Sequence, residues 1–236
     1  MPSFLLRLVG IFLLMSSGLA IAQSNQIPQQ AYTFRETIRN EIEVHWEEIP
    51  NYNYIPALIE HESCITLKHK KCWNSQSRLK TSREEGAGLG QITRAWRADG
   101  SLRFDSLEDL RTRYKAQLKE AKWETIYNRP DLQIRMILLM SRDNYRSLYD
   151  VPDEFQRLAM SDAAYNGGMG HLRKERRLCG YTRGCDPFKW FGHVEKMVVK
   201  STKVLYGNRS AHDINRYHVS DVLKIRMPKY DRAGYF

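Results

Sequence analysis

Acidic side chains are scarce relative to basic ones: 27 Asp and Glu stand against 37 Lys and Arg, for a formal charge of +10. Such a surface suits an anionic partner, whether nucleic acid, membrane surface or cell-wall polymer. Apolar runs are short. Leu8–Ala22 covers 15 residues, where a spanning helix needs roughly 20. There is no run of alternating strands, no internal repeat and no heptad array. The seven histidines contain no His-Glu-x-x-His or similar ligand spacing, so no catalytic metal and no cofactor is expected. Charged residues at 27% and hydrophobic ones at 42% give a globular balance, neither disordered nor multi-spanning. A length of 236 residues suffices for one domain, or one domain with a small lobe.

The N-terminus sets the compartment. Met1–Arg7 carries one positive side chain, Leu8–Met15 is apolar, and Ala20-Ile21-Ala22 is a small-x-small cleavage site. This is the layout of a secretory signal peptide cut after Ala22, with a retained N-terminal anchor as the alternative. No cysteine lies near the cut, which argues against a lipoprotein. Export, to periplasm or medium, makes nucleic acid a poor partner and leaves no stable membrane insertion after cleavage. Four cysteines, Cys64, Cys72, Cys179 and Cys185, all lie in the exported part. An oxidising compartment favours disulfides. Of three pairings, the local one, Cys64–Cys72 with Cys179–Cys185, closes two short loops and is preferred. The rival is zinc at Cys64-x4-His69-x2-Cys72, but the other pair has no matching histidine spacing.

Local periodicity gives a mainly α chain of one domain. Residues 23–50 form an N-terminal helical segment, in which Phe34, Ile38, Ile42 and Trp46 recur every four residues across Ala31–Glu48. Pro56 opens a helix running to Cys64. Residues 66–85 read as a polar, basic loop, Gly86-Ala87-Gly88 as a turn, and Leu89–Ala98 as a short helix. Ser106 is the expected N-cap of a helix reaching Lys122. Asp131 caps another through Tyr145, and Asp153 starts a third ending at Gly167-Gly168. Residues 170–186 read as a strongly basic loop, and Pro187 opens a last helix to Tyr206. Residues 207–236 show little pattern and read as a basic C-terminal extension to a domain spanning 51–206.

Three fragments carry polar groups that suit chemistry. Ile59-Glu60-His61-Glu62-Ser63-Cys64 puts an acid on an otherwise apolar helix, and a carboxyl at a buried edge has a raised pKa, able to donate a proton near neutrality. Glu60 and Glu62 are about 200° apart around a helix, so they do not act as a pair. The bland reading is two surface acids. Gly86-Ala87-Gly88-Leu89-Gly90-Gln91 lets backbone approach a ligand and ends in an amide with both donor and acceptor. Ala164-Tyr165-Asn166-Gly167-Gly168 sits at an expected helix end, a normal stop signal flanked by two polar side chains.

In that order, Glu-Ser, Gly-Leu-x-Gln and Ala-Tyr-Asn-x-Gly, the fragments resemble the soluble lytic transglycosylase family, over roughly residues 55–170. The resemblance implies a lysozyme-like catalytic domain, α+β with little β. It implies cleavage of the β-1,4 bond between N-acetylmuramic acid and N-acetylglucosamine in peptidoglycan glycan strands, with a 1,6-anhydro ring formed instead of water added. Glu62 matches the single catalytic acid/base. Ser63, Leu89, Gln91, Tyr165 and Asn166 match substrate-binding or supporting positions. Asp105 and Asp162 are conceivable second carboxylates and read as a loop residue and a helix-surface residue.

The chain departs from the family pattern at three places. Gly90 stands where the motif often has Met, which is expected to widen a subsite. The span from Glu62 to Gly88 is long and basic, an inserted loop pinned by Cys64–Cys72. Cys64 follows the Glu-Ser pair directly. The stretch 170–186 is either a solvated loop or a cleft wall, with Arg173, Lys174, Arg176 and Arg177 facing stem-peptide carboxylates. Among Trp46, Trp73, Trp96, Trp123 and Trp190, Trp73 is the best candidate to stack on sugar. A goose-type lysozyme-like hydrolase and a catalytically silent wall-binding component are the competing functions. A secretion or conjugation apparatus is a further candidate partner.

Overall fold

The fourfold spacing of apolar residues near the N-terminus produces helix α2, Arg35–His45, after a single turn, α1, Gln29–Tyr32. Ile38 and Ile42 are fully buried and Trp46 is 1% exposed, so this face points into the core as the period requires. The computed structural model describes residues 26–206 and 208–236. The signal peptide expected over 1–22 lies outside the described residues. No helix of the described residues is long and apolar enough to cross a membrane.

Helix α3, Tyr54–Ser63, carries the Glu-Ser pair at its C-terminal end. Pro56 is its third residue, still within the first turn, where the missing N–H costs no intrahelical bond. Eight of its ten residues are buried, which places this helix inside the molecule.

The sheet corrects the reading of residues 66–98. Strands β1 (Arg78–Lys80), β2 (Glu84–Ala87), β3 (Ile92–Trp96) and β4 (Leu102–Asp105) form an antiparallel meander in that order. A short 3-10 turn at Gly88–Gly90 joins β2 to β3 and does not grow into a helix, because Gln91 has a left-handed backbone with φ 45°. Strand pairing then claims Ile92–Trp96, opposite Glu84–Ala87. The buried Glu85 carboxylate accepts from Arg94 on β3 and from the Tyr127 hydroxyl, each at 2.8 Å, and also pairs with Arg78. The ion pairs join neighbouring strands of the meander, and the Tyr127 bond reaches across 42 residues; no helical or strand period announces either.

Helix α4, Ser106–Arg113, is capped by Asp105, whose carboxylate accepts from the Glu108 N–H at 3.0 Å. Ser106 is therefore the first helical residue, not the cap, and the helix stops nine residues before the expected Lys122. Asp105 is itself buried and also accepts from the Trp123 indole at 2.8 Å. It is a structural capping residue. Helix α5, Pro130–Arg146, begins on its proline and divides two apolar clusters. Ile134, Ile137 and Leu138 join the main core, whereas Leu132, Met136 and Leu139 join a second cluster under the sheet and α4. Each such fully buried side chain contributes about 1.5–3 kcal/mol.

Helix α6, Glu154–Gly167, starts at its expected cap, Asp153, and ends at Gly168, whose φ of +83° only glycine adopts freely. The basic stretch after it is not a loop: α7 spans Met169–Tyr181. Leu172, Glu175 and Cys179 form its buried stripe, a helical spacing hidden among basic residues on the other faces. The helix expected from Pro187 to Tyr206 is absent. Trp190 is buried, Gly192 has φ +79°, only a 3-10 turn forms at Val194–Lys196, and β5 (Val204–Tyr206) pairs with β6 (Arg209–Ser210).

The C-terminal segment is the largest correction. Ser210 and Asp213 form a reciprocal capping box that starts α8, Ala211–Ser220. A π-helical turn, Asp221–Arg226, and α9, Met227–Arg232, follow. Val219, Val222, Leu223, Tyr230 and Tyr235 belong to the same core as Ile38, Ile59 and Leu138. Glu60 of α3, 1% exposed, is held by Arg226, Lys229 and the Tyr230 hydroxyl. It is no surface acid, and residues 208–236 are no appendage. The disulfides are Cys64–Cys72 and Cys179–Cys185, the local pairing. The observed architecture is mainly helical with a small antiparallel sheet.

Candidate active site

Glu62 sits in the last turn of α3, on the opposite side of the helix from the locked Glu60. Its side chain keeps 17% of its surface exposed. Burial raises its carboxyl above the usual carboxylate range; His218 and His61 pull it back down, and Asp162 pushes it further up. Glu62 is therefore a protonatable group at the edge of a nonpolar interior, the state a general acid requires.

Ser63 is buried and turned inward. Its hydroxyl donates to the Ile59 carbonyl at 2.7 Å and accepts from the Trp73 N–H at 3.1 Å. It ties the insert that follows Cys64 to the end of α3. Trp73 has a left-handed backbone, φ 54°, and its ring packs against Phe34 and Tyr230 at 2% exposure. The residue expected to stack on sugar is thus a core residue. Trp96 is half-buried and lines an open concavity of about 440 Å³ with Thr81, Arg83, Arg97 and Arg103.

The glycine-rich turn is held from behind by Gln133, which is fully buried. Its carbonyl oxygen accepts from the Leu89 N–H at 2.8 Å, and its amide donates to the carbonyls of Ile126 and Ser75. A Cβ on Gly88 would lie 1.9 Å from Gln133 Oε1, and its φ is +64°, so both space and backbone demand glycine. Leu89, expected among the substrate-binding residues, is fully buried in the main core. Gln91 is partly exposed and folds its amide back onto the Gly88 carbonyl at 2.8 Å. Gly90 does not widen a subsite. A Cβ there would sit 2.4 Å from Ile137 and 2.8 Å from the Tyr165 oxygen, so those groups already occupy the space.

Tyr165 links the turn to the acid. Its hydroxyl donates to the Gly90 carbonyl at 2.9 Å, and its ring stacks on that of His218. Burial, with Glu62 and Asp162 adding to it, holds the phenol far above its ordinary pKa, so it remains a neutral donor. Asn166 is exposed at the end of α6, and its carbonyl oxygen accepts from Asn215 of α8 at 2.9 Å. Glu62, Tyr165 and the Gly88–Gln91 turn converge; Ser63 and Leu89 stand behind them as supports.

Two residues were missed or misplaced by sequence reasoning. Asp162 is fully buried, with its carboxylate accepting from the Tyr54 hydroxyl at 3.0 Å. It sits in an unbroken buried run, Leu158–Ala164, and an acid inside such a run was the available signal. His218, 1% exposed, arrives from α8 and lies between Asp162 and Glu62. The Ser210–Asp213 capping box was the sequence signal for its helix. His61 contacts Asp221 at 2.6 Å, and its ring lies edge-on to that of His218 at 4.3 Å.

In α7, Arg173, Lys174 and Arg177 are exposed, whereas Arg176 is paired with Asp150 at 2.7 Å. Among the described residues no group of three His, Cys, Asp or Glu side chains is placed to hold a metal ion. No family model and no curated protein matches this chain.

Proposed function

We propose that this chain is an exported peptidoglycan lytic transglycosylase with a lysozyme-like catalytic domain and Glu62 as its single acid/base. The observation that carries the reading is Glu62 itself, a carboxyl raised by burial yet partly exposed at the end of a buried helix, whose charge is felt by a Tyr165 hydroxyl bonded to the Gly88–Gln91 turn. Two disulfides and the expected signal peptide support export to the periplasm. The excess of basic side chains suits an anionic wall polymer.

In this reading Glu62 donates its proton to the glycosidic oxygen as the bond to C1 of N-acetylmuramic acid breaks. The sugar's 2-acetamido group stabilises the cationic centre. Glu62, now a carboxylate, takes the proton from the C6 hydroxyl as O6 bonds to C1. The proton count closes without water. A two-carboxylate hydrolysis needs a second acid facing the sugar. Asp162, the nearest such acid, is fully buried and engaged with Tyr54 and His218, which favours the one-acid route over a goose-type hydrolase.

The test is digestion of purified peptidoglycan by the mature protein and by Glu62→Gln, with products weighed by mass spectrometry. The expected result is anhydro-muropeptides from the wild type and a loss of about 10²–10⁴-fold in the variant. Products heavier by one water would make the protein a hydrolase. Wall binding without products would make it a silent binding component.

A further inference from the structure

The three-residue line Glu62, His218 and Asp162 goes beyond the motif residues. We propose that His218 is a positioning residue which, clamped by Asp162, places a cation against Glu62 and so sets the protonation state of the catalytic carboxyl. The proposal rests on the reading of Glu62 as the acid/base.

The geometry is that of an imidazole held between two carboxyls. His218 Nε2 lies 3.3 Å from both oxygens of Asp162, and Nδ1 lies 3.5 Å from Glu62 Oε1. Nδ1 is buried and has no hydrogen-bond partner, so Glu62 is its ion-pair neighbour. Asp162 on the Nε2 side fixes the ring's orientation, as a buried carboxylate does for a catalytic imidazole, and the protonated ring then aims its Nδ1–H at Glu62. At 1% exposure His218 cannot touch a glycan; it acts only through Glu62.

Every charged or titratable neighbour fits this assignment. From α3, Tyr54 donates to Asp162 and His61 lies against the His218 ring. From α6 come Asp162 and Tyr165. From the π-turn, Asp221 binds His61 and Arg226. Burial alone would lower the His218 pKa, but Asp162, Glu62 and Asp221 together raise it above its ordinary value. The protonated ring in turn offsets the burial of Glu62. The carboxyl thereby stays a strong enough acid to release its proton to the leaving oxygen, and the resulting carboxylate has a counter-ion until it takes up the O6 proton.

The test uses two readouts. In the full mature chain, His218→Gln should lower kcat about 10-fold or more with KM held, and should move the alkaline limb of the pH–rate profile to higher pH, because Glu62 becomes a weaker acid. A limb that stays in place while only the melting temperature falls would reduce His218 to a packing residue and overturn the proposal. Imidazole ¹⁵N NMR titration of wild type and Glu62→Gln then tests the coupling without any substrate. The His218 midpoint should move to lower pH in the variant, which lacks the carboxylate. An unmoved midpoint overturns the proposal even if the enzyme is active. A moved midpoint in a protein that yields no muropeptides upholds the coupling while the transglycosylase reading fails.

Discussion

At the scale of single residues, Glu62 sits in conflict with stability. Burial raises its carboxyl, so the folded chain holds that proton more tightly than the unfolded chain. The stability this confers is fully present below about pH 4, near the unfolded value, and is lost as pH rises through the higher folded value. Glu62→Gln keeps the shape without the charge. It is expected to melt above the wild type at pH 7, on a scale of roughly 2–4 °C per kcal/mol, with the gap closing as the pH falls toward 4. Calorimetry at both pH values checks this; equal melting temperatures at pH 7 would show that His218 fully compensates the burial. Asp162 is the counterpart on the structural side: its burial is tolerated because Tyr54 and His218 face it.

At the scale of elements, helix α3, which carries Glu62, is braced at its C-terminal end. Ser63 accepts the Trp73 N–H, and Cys64 is bonded to Cys72, so the insert returns immediately to α3 and its Trp73 fills core beside Phe34 and Tyr230. Replacing both Cys64 and Cys72 by Ser is expected to cost roughly 2–4 kcal/mol of stability and to leave the muropeptide products unchanged. Denaturant unfolding alongside product analysis separates the two effects. Altered products would give the loop a role in bond choice. The start of α6 was legible because Asp153 is a local cap, and α2 was legible because its stripe is regular. The helical stripe of α7 was not, since five consecutive charged residues, Arg173 to Arg177, separate Leu172 from Cys179 and dominate the local composition.

At the scale of the whole molecule, the first and last of the described segments close the core around α3. Ile27 and Ala31 share a cluster with Tyr230 and Tyr235, and the Tyr235 hydroxyl donates to the Ala31 carbonyl at 2.7 Å. A chain ending at Tyr206 would lose α8, the π-turn and α9, leaving Glu60 buried without Arg226, Lys229 or Tyr230. Breaking such a buried pair from one side costs roughly 3–5 kcal/mol, before the lost apolar burial. The truncated chain is expected to show no cooperative thermal transition by circular dichroism. A folded, active fragment would instead make the segment a true extension and remove His218 from the mechanism.

The sequence by itself determined the features that depend on neighbours along the chain: helix α2, the Asp153-capped α6, the acid near the end of an apolar α3, and the local pairing of four cysteines. Tertiary structure decided the rest. Ile92–Trp96 became a strand because Gln91 turned left-handed and β2 offered hydrogen bonds. Leu89 and Trp73 became core because Gln133 and Phe34 waited for them. His218 reached Glu62 because α8 folds back over α3 and α6. A periodic pattern reports which face of a segment is apolar, but not which distant segment will cover that face, and beside the adjacent His61 the charges acting on Glu62, His218 and Asp162, come from such distant segments.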